Sequence, residues 1–71
     1  MESKLKKELK GVVELELGMV GSKKVVFVVE KPKNGTKETQ KRTWFERDNE
    51  ARVVLELAEA YIQQNYQVYF K

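Results

Sequence analysis

The chain has 71 residues, 14 Lys and Arg against 11 Asp and Glu for a net +3, and neither cysteine nor histidine. That length fits one small domain, 1–71, whose stability rests on packing, since disulfides and thiolate metal sites are excluded and the commonest general base and metal ligand is missing. No apolar run approaches the roughly 20 residues that span a bilayer. The start, Met1-Glu2-Ser3-Lys4-Leu5-Lys6-Lys7, has no signal-peptide apolar core, so the expectation is a cytoplasmic chain with no membrane partner.

Taken in chain order, Leu5 and Leu9 lie four apart behind Ser3, which is able to cap a helix. Residues 1–11 are therefore either a short helix ending at Gly11 or a flexible basic tail. From Val12 to Val20 apolar and polar residues alternate, Val13, Leu15, Leu17 and Met19 on one face and Glu14, Glu16 and Gly18 on the other, the two-residue period of a half-buried strand. Gly21-Ser22-Lys23 offers a glycine suited to a left-handed turn, hence a hairpin.

The run that follows, Val25-Val26-Phe27-Val28-Val29, is apolar throughout and mostly β-branched, and reads as a central strand buried on both faces. Pro32 and Asn34-Gly35 place a second hairpin turn over Lys31 to Thr36. A third strand is expected over Thr36 to Arg47, its polar first half, Lys37 to Lys41, resembling a loose arm. Trp44 and Phe45 are adjacent there and must point to opposite faces. Phe45 is assigned inward, which leaves Gln40, Arg42 and Trp44 on the open face.

Asp48 is the expected N-cap of a long helix with Glu50 in its first turn. Ala51, Val54, Leu55, Ala58, Tyr61 and Ile62 recur at three and four, with Leu55 central, and Val53 and Leu57 widen the stripe. Asn65 fits a left-handed cap. Tyr66, Val68 and Phe70 then alternate with Gln67, Tyr69 and Lys71 as a short last strand. The expected fold is α+β: a three-strand antiparallel meander, one long helix on one face, and a C-terminal fourth strand, in the order β-β-β-α-β. The fourth strand lies beside either the first or the third, parallel to its neighbour in both cases. On this reading Val26 and Val28 share the uncovered face with Val12, Glu14, Glu16, Arg42 and Trp44.

Charge is unevenly spread. Lys31 to Arg47 holds six basic residues against Glu38 and Glu46, a local +4, whereas Asp48 to Gln64 has four acids against Arg52, a local −3. Catalysis needs an activated group with an orienting partner, and no such constellation is visible. Glu14 and Glu16 form a carboxylate pair on one strand face, which is also the solvent side of an amphipathic strand. The expectation is a non-enzymatic module without cofactor or metal.

Two binding functions fit. In the first, the basic hairpin and sheet face bind nucleic acid: Lys31, Lys33, Lys37, Lys41, Arg42 and Arg47 supply phosphate contacts and Trp44 a stacking surface. The same lysines also suit an edge strand kept soluble. From Lys24 to Ile62, the order of strand, Asn34-Gly35 turn, basic strand ending in an aromatic, acidic cap and helix beginning Glu50-Ala51 loosely resembles the arm-site DNA-binding domains of tyrosine recombinases and the plant AP2 domain. That resemblance of layout implies a DNA-binding use for the hairpin, carries no individual residue over, and stops short of Tyr66 to Phe70. In the second function, the chain is a protein-interaction or regulatory module that docks a partner through the open face, with Trp44, Tyr69, Val26 and Val28, or through the acidic helix at Glu56 and Glu59. A homodimer follows from the central strand, apolar on both faces with one helix to cover them.

Overall fold

A computed structural model describes residues 8–35 and 39–71. Strands β1 (Gly11–Val20), β2 (Lys23–Pro32) and β3 (Lys41–Glu46) are followed by helix α1 (Glu50–Gln63) and strand β4 (Tyr66–Phe70). The sheet order is β3-β2-β1-β4, with antiparallel pairing except for β4, which runs parallel to β1. The β-β-β-α-β layout expected from the sequence is thus present, and β4 takes the place beside the first strand. The N-terminal helix or tail lies outside the described residues, apart from Glu8, Leu9 and Lys10, which are neither helix nor strand. No helix among the described residues is long and apolar enough to cross a membrane.

Gly21 and Ser22 alone form the first turn, and Gly21 has φ +62°, as a two-residue hairpin loop with glycine at its first position requires. Val20 therefore pairs with Lys23, which places Val26 opposite Leu17 and Val28 opposite Leu15. This corrects the sequence-based facing of β2. Val26 and Val28 point toward the helix, and Val25, Phe27 and Val29 lie on the open face with Val12, Glu14, Glu16, Arg42 and Trp44. Counting Lys23 into the turn shifts β2 by one residue, and a one-residue shift exchanges the two faces of a strand. An all-apolar run carries no alternation that would reveal the error.

The core consists of Val13 and Leu15 from β1, Val26 and Val28 from β2, and Ala58 from α1. Val53, Val54, Leu57 and Tyr61 of the helix and Tyr66 and Val68 of β4 pack around it. Leu55, expected at the centre of the helix's inner stripe, is 60% exposed, and Ile62 is exposed beside it. Apolar positions on α1 span a wider arc than the sheet can cover, and the helix settles on the line Val54, Leu57, Ala58 and Tyr61. The N-cap is Asn49 rather than Asp48, its side chain accepting from Arg52 N–H at 3.2 Å. Asn65 adopts the expected left-handed conformation at φ 70°. The third strand begins at Lys41, not Thr36, and residues 36–38 lie outside the described residues.

Helix α1 packs mainly on β4 and over β1 and β2, leaving β3 beyond its cover. Phe45 faces the helix side, opposite Val26, yet it stays half-exposed together with Leu17 and Met19. The far end of the helix is fastened by Glu30, whose two carboxylate oxygens accept from Tyr61 Oη at 3.0 Å and Tyr66 Oη at 3.1 Å. The two rings meet edge to face at 5.2 Å. Burial first, then the hydrogen bond to Glu30 and its negative charge, pushes the Tyr61 phenol up to about 12, and the same causes raise Tyr66. A phenol raised above its unfolded value of 10.0 contributes stability that is complete below pH 10 and lost as pH rises through about 12. Alkaline unfolding of the parent should therefore steepen across that window. Tyr61→Phe should lessen that steepening and leave the part owed to Tyr66, which a comparison of stability by denaturant titration at successive pH values checks.

Candidate nucleic-acid interface

The sheet face away from α1 is built by the strand register. Successive rows across β3, β2, β1 and β4 read Arg42, Val29, Glu14 and Tyr69, then Trp44, Phe27 and Glu16, then Glu46, Val25 and Gly18. Three aromatic residues, Phe27, Trp44 and Tyr69, thus share one side of the sheet. The Phe27 ring packs against Gly18, where an added Cβ would stand 2.7 Å from the ring. Above the ring sits the Arg42 guanidinium, 4.6 Å from its centroid. Glycine in the middle of a strand is unfavourable by itself, and here it makes room for the ring. Trp44 and Tyr69 are 44% and 49% exposed.

Charges frame these rings. Glu16 near the middle of the face pairs with Arg42 at 3.6 Å and with Lys71 at 4.0 Å, and Glu14 pairs with Lys31 at 3.9 Å. At one end Lys23 and Glu46 pair at 3.1 Å, and beyond the other Lys33 and Glu8 pair at 3.0 Å. Exposed pairs of this kind hold together by about 0 to 1 kcal/mol each, so the cations remain free to exchange their carboxylates for other anions. A hollow of about 210 Å³, lined by Leu9, Gly11, Val12, Lys33 and Gln67, continues the face toward the N-terminal segment. It is smaller than the sites that enclose a cofactor.

Of the seven residues that the sequence singled out for nucleic-acid contact, Arg42 and Trp44 come together on this face with Lys31 beside them, and Lys33 lies just past its edge. Lys41 projects on the helix side, opposite Glu30. Lys37 lies outside the described residues. Arg47 is turned inward: its side chain is 9% exposed, pairs with Glu50 at 2.9 Å and donates to the Gly18 carbonyl at 3.4 Å. It fastens the start of α1 to β1. Phe27 and Lys71 join the face beyond those seven, and the two-residue turn at Gly21-Ser22 is the signal that places Phe27 opposite Glu16.

Comparison of the chain with models of known protein families, with curated proteins and with solved structures finds no match.

Proposed function

We propose that this protein binds single-stranded nucleic acid on the open face of its sheet. The observation that carries the proposal is the convergence of Trp44, Tyr69 and the Arg42-covered Phe27 on one side of the sheet, with no described element over them. Exposed rings and a flat guanidinium stack unpaired bases, which every base permits because each has a π-face. Lys23, Lys31, Lys33 and Lys71 lie around the rings, where they meet phosphates while the bases turn inward. Glu14 and Glu16, between the rings, offer acceptors to exocyclic amines. A duplex hides its π-faces inside the stack, so a flat aromatic platform selects against it.

A fluorescence titration with unlabelled protein and labelled oligonucleotides, single- and double-stranded, over a range of salt tests this directly. Single strands should bind more tightly. With two to four phosphates engaged, log K should fall against log salt at a slope of about −1.5 to −3, and replacing Lys31 and Lys33 together by Gln should flatten it by about 1.5. Absence of salt-dependent binding to either form would refute the proposal. One observation favours the second reading, a protein-interaction module: Leu17, Met19 and Phe45 remain half-exposed on the helix side of the sheet, where α1 does not reach.

A further inference from the structure

We propose that the β3 edge pairs with the β3 edge of a second copy of this chain, in one defined register, to make a continuous eight-strand sheet. β3 ends the sheet, and no proline interrupts Lys41–Glu46. Natural edge strands are commonly blocked by proline, by charged side chains or by a covering helix; α1 does not cover this one, and two of its charges, Arg42 and Glu46, are opposite in sign and attract rather than repel a second β3 in the right register. The direction of its backbone groups that pair with no described residue follows from one bond, Arg47 N–H donating to the Lys24 carbonyl at 3.1 Å. In an antiparallel ladder the groups alternate, so Lys41, Thr43 and Phe45 also point to β2, and Arg42, Trp44 and Glu46 turn their N–H and C=O outward.

A two-fold axis perpendicular to the sheet joins two β3 strands antiparallel and keeps each face on its own side. Outward groups meet outward groups when Trp44 pairs with Trp44 of the second copy. Arg42 then pairs with Glu46 of the second copy, and Glu46 with its Arg42. Each of these pairs exchanges two backbone hydrogen bonds. Both charged pairs are opposite in sign, and the two indoles lie side by side on the open face at the spacing of a cross-strand pair. Shifting the centre to Thr43 loses the charge match and the central bonded pair. β4, the other edge, carries no charged residue, so no ion pair fixes a register there. In the paired sheet the two helices lie on one side, and Phe45 from each copy meets Thr43 of the other between them.

The pairing does not depend on nucleic acid, and its test contains none. Sedimentation equilibrium over a dilution series should show a monomer–dimer equilibrium of the full chain. Arg42→Glu and Glu46→Arg should each weaken it by about 10- to 100-fold, because each removes two attractive pairs and introduces two repulsive ones. The double variant R42E/E46R should return to within a few-fold of the parent. Circular dichroism on each variant checks that the monomer remains folded, and Glu46→Gln, which lacks the repulsion, should weaken the dimer less than Glu46→Arg. A strict monomer at the highest attainable concentration overturns the proposal. So does a dimer indifferent to the single changes, or a double variant as weak as they are.

Discussion

Leu15→Ala is expected to destabilise the protein by about 2 to 5 kcal/mol, whereas Leu55→Ala should change stability by no more than about 0.5 kcal/mol. The two leucines are alike in the sequence, each on an amphipathic pattern. Leu15 is fully enclosed between Val28, Ala58 and their neighbours, and truncation leaves a cavity that a two-layer core refills poorly. Leu55 is mostly in solvent, and alanine there has the better helix propensity. A domain of this size holds about 4 to 10 kcal/mol in all, so the first change approaches the limit of folding. Denaturant titrations of the two variants, with equal slopes, decide the phase of α1. Equal losses at both positions would mean that the helix packs on a different stripe.

The second large effect is on binding. Trp44→Ala should weaken single-strand affinity by about 1 to 3 kcal/mol while leaving the salt slope nearly unchanged, because a stacking surface is lost and no charge is removed. Trp44→Phe should recover most of the affinity. In the paired sheet Trp44 also lies at the centre of the interface, so affinity is to be measured at protein concentrations below dimer formation. Affinity unaffected by Trp44→Ala would remove the ring from the contact and leave only electrostatic attraction.

Much of the fold was legible because alternation and helical spacing are local. Leu15, Val13 and Tyr66 to Phe70 fell in their strands, Ala58 and Tyr61 on the helix's inner face, and Asn65 in its left-handed cap. What escaped was phase. At Val25 to Val29 both parities are apolar, so the facing of the strand is held only by the length of the Gly21-Ser22 turn, and one residue of error exchanged Val26 with Phe27. On α1 the apolar arc is wide, and the choice between Leu55 and Leu57 is made by contact with β4, whose position no local pattern encodes. Asp48 and Asn49 are both competent caps, and only the path out of β3 selects between them.

The candidate site divided along the same line. Trp44 and Arg42 could be placed on one face from their spacing of two, but the inward turn of Arg47 depends on the long-range approach of Gly18. The cation set of the hairpin overstated the charge available, since the glutamates that pair with Lys31 and Arg42 come from β1. Glu30, to which the sequence assigns no role between the apolar run and the Lys31 to Thr36 turn, is the joint between α1, β2 and β4, recognisable only in its even spacing from Val26 and Val28.

Amide and indole chemical shifts followed during titration with a short single-stranded oligonucleotide test the central claim most directly. The account predicts that the largest changes fall on the Trp44 indole and on Phe27, Arg42, Glu14, Glu16 and Tyr69, with α1 from Val53 to Ile62 little affected. Changes confined to the helix, or to Leu17, Met19 and Phe45 on its side of the sheet, would contradict it.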